Sequence, residues 1–436
     1  VTEGAEPYLY LTMKMKITTF LEKYFSSFLY FYRHLRYRIY VALLISLMVG
    51  VLDGFGLAMF LPLLKLAGGS GVVTPDQLGN FGYLVEWLNA LGLELDLLLI
   101  LILLVVFFSL KGVFKFFAQA YLVTIRQYFV TKLRLQLARS FRYFSYKAFV
   151  RSDVGQIQNT MTGEITRVAI AYQSYYKAFE QLILVLVYSG FAFFVDAQFA
   201  LLVTVGGGLS NFLYRSVFVR TKKTSHSLSA EGNRLQSMVI QFVANFKYLR
   251  ATSTLHTYYL RLKKGIKQIE LHQRRIGILN AVLFATKEPI IILIVAVVIM
   301  LQTRIFGGEL GPILISLLFF YRALGALFMT QNQWNNFLGV SGSLTNTTEQ
   351  QEKLNAHQIK PGTQKVNRLE KGLSLRDVSF AYHQDQPTLQ HISMQLPKNH
   401  TLALVGESGS GKTTLVNILA GLLHPDQRQV LVDGQI

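Results

Sequence analysis

Long apolar runs separated by short polar stretches organise most of this chain. A helix that crosses a bilayer needs about 20 mostly apolar residues. Six such runs occur, near Tyr40–Leu66, Leu97–Val123, Tyr172–Val195, Ala197–Val219, Ile278–Leu301 and Pro312–Leu338. Two stretches between them, after the second and fourth runs, keep apolar residues at helical spacing, as in Leu133, Leu137, Phe141 and Phe144. They predict helical pairs that extend beyond the bilayer, turning near Val154-Gly155 and near Asn245-Phe246-Lys247, with short helices at their tips. From Leu373 the period changes to alternation, in Leu373–Phe380, Ile392–Leu396 and Thr401–Val405, which predicts strands.

Charge sets the orientation. Arg126 to Arg151 carry a basic block, and Arg220 to Arg275 a denser one, whereas residues 67–96 hold Asp76, Glu86, Glu94 and Asp96 and no Lys or Arg. Alternating basic and non-basic loops place both termini in the cytoplasm. The net charge of +19 is spread over these loops, so it argues for a membrane protein and against a nucleic-acid partner. No cysteine is present, which excludes a disulfide framework, and the histidines have no metal-ligand spacing. The segment Ile17–Tyr40 reads either as an interfacial elbow helix or as an early start to the first span. Met13-Lys-Met-Lys is a plausible start, with no cleavable signal after it.

One motif carries chemistry. Gly406-Glu407-Ser408-Gly409-Ser410-Gly411-Lys412-Thr413, with Thr414 next, fits the Walker A pattern between an expected strand at Leu402–Val405 and an expected helix through Leu415 and Ile418. Glycines let backbone N–H groups wrap phosphate, and the helix N-terminus adds positive potential. Lys412 then reaches the β- and γ-phosphates of ATP, and the Thr413 hydroxyl ligates Mg²⁺.

The surroundings of that motif resemble the ABC transporter family. Phe380-Ala-Tyr382 stands where the family carries an aromatic that stacks on adenine. Gly421-Leu-Leu-His-Pro425 and Val432-Asp433-Gly434 match the stretch on the C-terminal side of its P-loop helix. Six spans ahead of such a domain, with Met161-Thr-Gly-Glu164 and Asn245-Phe-Lys-Tyr-Leu249 in the excursions, look like the exporter arrangement. Asp53 and Pro62 in the first span and Tyr321-Arg322 in the sixth make bacterial flippases for lipid-linked oligosaccharides the most similar subfamily.

The resemblance implies an all-α six-helix transmembrane domain of ABC exporter type, leading into the N-terminal part of an α/β P-loop nucleotide-binding domain. The expected division is 1–39 extension and elbow, 40–340 transmembrane domain, 341–371 linker, and 372–436 partial nucleotide domain. It implies ATP-driven export or flipping of a lipid or lipid-linked oligosaccharide across a bacterial inner membrane, in a homodimer or with a related half-transporter. A peptide or drug exporter, or a non-hydrolysing nucleotide-dependent regulator or channel, is the alternative. In the family the Q-loop, signature, Walker B with its catalytic Glu and switch His lie downstream of the equivalent of Ile436, so hydrolysis is expected of the completed protein. Arg428 falls at a turn position where the family has Gly.

Ionisable residues in spans are candidate sites, because each costs a few kcal/mol at mid-bilayer. Asp53, Lys111, Lys115 and Arg322 are the cavity candidates, with Lys287 and Glu288 behind them. Lys111 and Lys115, four residues apart, share a helix face. Glu180, beside Tyr176 and Lys177, reads as a leaflet-level pair instead. Gly206-Gly-Gly208 and Pro289 are candidate hinges or close-packing points.

Overall fold

A computed structural model describes residues 27–67, 96–195, 197–304, 310–359, 368–383 and 386–435. Residues 17–26 of the expected elbow, most of the acidic loop after the first span, and Pro361-Gly362 lie outside them.

Each apolar run forms a helix. A short helix α1 covers 27–35 and is separated by a break at Arg36 and Tyr37 from α2 (Arg38–Ala58). The first span continues after Met59 as α3 (Phe60–Ala67). Pro62 accounts for the interruption, since its ring opposes the carbonyl four residues back, that of Ala58, and it has no N–H to donate. Then come α4 (Leu97–Arg142), α5 (Tyr146–Val150) and α6 (Val154–Asn159), which runs through a π-helical turn, Thr160–Glu164, into α7 (Ile165–Val195). The second half has α8 (Ala197–Ala244), α9 (Phe246–Ala251), α10 (Leu255–Arg304) and α11 (Leu310–Ala356). Among the described residues, four helical stretches are long and apolar enough to cross a membrane: Arg38–Leu63, Leu97–Arg142, Val154–Phe194 and Leu255–Leu301. The other two expected spans lie within α8 and α11.

Two expectations about the helices are adjusted. The turn expected near Val154-Gly155 falls just before them, at residues 151–153, and Val154 opens α6, because Asp153 caps it by accepting from the N–H groups of Gly155 and Gln156. The stretch 341–356, expected as linker, continues α11: its Ser341, Ser343, Asn346, Thr347 and Gln350 are buried, so polar composition there marks a polar helix contact. Pro289 sits inside α10 without ending it.

Two large clusters fill most of the helical part. One surrounds Tyr188, Ile291, Phe319, Phe320 and Phe328. The other is aromatic and seats α1: the Phe31 ring lies 5.8 Å from Phe129, 5.4 Å from Tyr172 and 5.2 Å from Tyr175. Toward the helix extensions the packing turns polar. Thr221, Ser225, Ser229, Asn233 and Ser237 recur every four residues, forming one stripe on α8. Small partners let helices approach that stripe: a methyl on Gly342 would stand 2.6 Å from the Ser225 carbonyl, and one on Gly155 would stand 2.4 Å from Ser237 Cα. The buried Glu164 carboxylate accepts from Asn159 Nδ2 at 3.2 Å and Ser229 Oγ at 3.4 Å.

Beyond α11, β1 (Gly372–His383), β2 (Gln386–Pro397) and β3 (Gln427–Val432) make an antiparallel sheet in the order β2-β1-β3. Helix α12 (Lys412–Leu419) closes it, with Leu415 and Ile418 buried against Val378, Phe380 and Leu389. The strand expected at Thr401–Val405 is absent, and Leu402 and Val405 are 46% and 93% exposed. No strand pairs with 401–405 among the described residues. Arg428 lies in β3, not in a turn.

Candidate functional site

The glycine-rich loop takes the shape its glycines allow. Gly409 and Gly411 have φ of 89° and 88°, a region nearly closed to other residues. At Gly411 a side chain is doubly excluded, since its Cβ would meet Leu389 Cδ2 at 2.7 Å and the Thr388 carbonyl at 3.0 Å. The loop therefore presses against β2 while opening α12. Lys412 folds back over it, donating from Nζ to the carbonyls of Gly406 at 2.9 Å and Glu407 at 2.6 Å. Thr413 is exposed at the first turn of α12, whereas Thr414 is buried against the sheet. Loop, helix N-terminus, lysine and free hydroxyl together fit a phosphate group with its divalent ion.

Tyr382 sits near the end of β1, its ring edge-on to Phe380 at 5.0 Å. A cleft of about 680 Å³ passes Tyr382, Pro387, Lys147, Arg151 and Asp426. Asp433 organises the other end of the sheet. Its oxygens accept from the backbone N–H groups of Glu370 at 2.9 Å, Lys371 at 2.6 Å and Gly372 at 2.9 Å. Those donors hold its carboxyl below the usual carboxylate range. The Val-Asp-Gly stretch is thus a clasp for the start of β1.

Within the spans the structure brings the four cavity candidates together. Asp53, Lys111, Lys115 and Arg322 line one cleft of about 340 Å³, with Glu180, Tyr188, Lys287 and Tyr321. Lys111 Nζ donates to Asp53 Oδ1 at 2.5 Å, and the Tyr188 hydroxyl donates to Asp53 Oδ2. Asp53 is 4% exposed, so α2, α4 and α7 meet at one buried carboxylate. Four cations and two carboxylates line the cleft, leaving a formal excess of positive charge.

Glu180 also faces the cleft, while Tyr176 turns its hydroxyl to Ser46 and the Ala42 carbonyl. Sequence reasoning misses Tyr188. The available signal is its position two helical turns beyond Glu180, with Leu184 between them on the same face. Among the described residues no cluster of His, Cys, Asp and Glu could hold a metal ion.

A helical bundle long enough to span a bilayer, joined to a P-loop domain, defines a nucleotide-dependent membrane protein. The chain belongs to the ABC transporter family. The profile of the ABC transporter transmembrane region matches residues 63–330, and the ABC transporter profile matches residues 389–436. The chain is 22% identical over 329 residues to the heterocyst differentiation ATP-binding protein HepA of Nostoc sp., covering 74% of this chain and 54% of that protein. It is 23% identical over 359 residues to the ATP-dependent lipid A-core flippase of Mannheimia succiniciproducens, covering 77% of this chain and 58% of that protein. Over 62 residues, 14% of this chain and 10% of the relative, it is 42% identical to the uncharacterized ABC transporter ATP-binding protein YfiC of Bacillus subtilis. The chain thus spans just over half the length of the first two relatives.

Proposed function

We propose that the full-length protein is an ATP-driven exporter that moves an anionic lipid or lipid-linked oligosaccharide across a bacterial inner membrane, with both termini cytoplasmic. The observation that carries this reading is the cation-rich cleft lined by the spanning helices of a chain that also bears a P-loop. A charged wall inside a bilayer is costly, and an anionic headgroup offsets that cost more fully than a neutral drug or an apolar peptide would. Relatives named as lipid A-core flippases support the same direction.

Residues Gly406 to Thr414 hold the phosphates in this reading. Lys412 exchanges the Gly406 and Glu407 carbonyls for phosphate oxygens, and Thr413 ligates Mg²⁺. Tyr382 stacks on the base. When bound, Mg-ATP supplies the differential affinity that favours the closed arrangement of two nucleotide domains. Asp53 anchors Lys111 and Tyr188, and Lys115 and Arg322 face the headgroup. A second copy of the chain is the proposed partner. The tip at α9 leaves Val243, Phe246 and Tyr248 exposed, an apolar face suited to the nucleotide domain of that copy.

The test is ATPase stimulation of the full-length protein in liposomes. A lipid A-core or polyprenyl-diphosphate glycan raises the rate, a zwitterionic lipid does not, and Arg322→Ala weakens the response. Equal stimulation of the Arg322→Ala variant and the parent removes the cleft from the account.

A further inference from the structure

The corner where α1 turns into α2 gathers cations that its own helices cannot neutralise. Residues 27–52 and 97–152, which cover α1, most of α2, α4 and α5, contain no Asp or Glu. Arg36 and Arg38 stand at the corner, and among the described residues neither has a carboxylate within ion-pairing distance. Arg36 follows α1 with φ of 52°, a left-handed conformation that is costly for any residue with a Cβ and is usually left to Gly. Its side chain is exposed. Arg38 lies over Tyr128 of α4, with Cζ 3.6 Å from the ring centroid and 5.9 Å from that of Tyr37. A ring face holds a guanidinium in place without cancelling its charge. Tyr32 and Tyr40 meet edge to face at 5.9 Å across the break, fixing α1 against α2.

Depth decides what can answer these charges. The stretch Arg38–Leu63 has 26 residues, about 38 Å of helix. That exceeds a hydrocarbon thickness of about 30 Å and stays within the roughly 40–45 Å that includes the headgroups. Arg38 therefore stands at headgroup level when the apolar residues of α2 lie in hydrocarbon. The exposed rings of Tyr37, Tyr40 and Tyr128 occupy the same level, as aromatic residues do at a membrane interface.

The faces of α2 separate this corner from the cleft. Ala42, Ser46, Val49 and Asp53 form its buried face. Tyr40, Leu44 and Leu47 are exposed and follow at helical spacing on the other side. An apolar strip thus runs from the two arginines into the bilayer, turned away from Asp53.

We propose that this corner binds an anionic phospholipid, with its phosphate on Arg36 and Arg38, its glycerol region against Tyr40 and an acyl chain along Leu44 and Leu47. The leaflet is the cytoplasmic one, and that part rests on the orientation given under the proposed function. Guanidinium groups offer paired donors that match phosphate oxygens. A zwitterionic lipid would bring its own ammonium to a place already rich in cations, so a headgroup with net negative charge is preferred. The lipid is a resident partner of the helices, not the transported molecule.

The test is native mass spectrometry of the full-length protein in detergent, titrated with phosphatidylglycerol or with phosphatidylcholine. In its first binding event the parent is expected to prefer phosphatidylglycerol about tenfold. Arg36→Gln with Arg38→Gln is expected to abolish the preference, and Arg36→Lys with Arg38→Lys to retain most of it. Arg36→Gly removes one cation while relieving the left-handed backbone, so it keeps the fold, and it is expected to lose about threefold. Lys263→Gln with Lys264→Gln removes the same charge about 20 Å of helix short of the apolar run at Ile278 and should change nothing. No preference in the parent, or an undiminished one in both the glutamine pair and Arg36→Gly, overturns the site. A preference lost in Arg322→Ala but kept in the glutamine pair puts the anionic lipid in the cleft, which overturns the site while leaving the exporter reading intact.

Discussion

Lys111 Nζ lies 2.5 Å from Asp53 Oδ1, an ion pair that joins the second spanning helix to the first inside the membrane domain. Removing one member of a buried pair leaves an uncompensated charge, at a cost of about 3–5 kcal/mol. Asp53→Ala is therefore expected to lower the melting temperature in detergent, the more so because Tyr188 also loses its acceptor. Asp53→Leu combined with Lys111→Met should recover most of that loss. Equal melting temperatures for Asp53→Ala and the parent would show that the pair does not form.

The polar stripe on α8 gives a covalent test of helix packing. Ser229 Oγ and Ser343 Oγ are 3.3 Å apart, joining α8 to α11. Ser229→Cys with Ser343→Cys is expected to form an intramolecular disulfide under mild oxidation, in a chain with no other thiol to compete. Gel mobility before and after reduction reads the result.

Glycines at the same seam should be intolerant. Gly155→Ala places a methyl 2.4 Å from backbone of Ser237, and Gly342→Ala places one 2.6 Å from the Ser225 carbonyl. Both variants are expected to melt below the parent. Gly112→Ala meets no neighbour and should gain about 0.5–1 kcal/mol from helix propensity. Thermal unfolding of the three side by side checks the ordering.

Acid should loosen the sheet at Asp433. Its folded carboxyl is held low by the Glu370, Gly372 and Lys371 amides, so its stabilising contribution is complete above the ordinary aspartate value of about 3.9. That contribution is lost as pH falls through the lower folded value. At Asp426 burial pushes the carboxyl up, but the bonds from Lys147 and Ala381 outweigh it, so it shifts the same way. Hydrogen exchange at the Glu370, Lys371 and Gly372 amides should accelerate in acid beyond the intrinsic rate change, and Asp433→Asn should raise their exchange at neutral pH.

The spans are legible in the sequence because a bilayer demands unbroken apolar runs, a signal that survives without knowledge of partners. Lys111 and Lys115 can be paired from their spacing alone, but their meeting with Asp53 and Arg322 cannot. Three different helices supply those residues, and helix rotation is set by packing around Tyr188 and Phe319. Polar composition misleads at 341–356, where Ser and Asn face the α8 stripe instead of water. Alternation misleads at Thr401–Val405, since a strand needs a ladder as well as a pattern. Asp426 carries no sequence signal: its contacts come from the meeting of α5 with β1, residues distant in the chain.

The most direct test of the central claim is equilibrium binding of a fluorescent ATP analogue to the full-length protein and to its Lys412→Ala variant, both in detergent and both assayed for membrane insertion. The account predicts saturable, Mg²⁺-dependent binding to the parent and at least a tenfold loss in the variant, about 1.4 kcal/mol or more, with insertion unchanged. Equal affinity in the two proteins would contradict the P-loop assignment and with it the ATP-driven exporter.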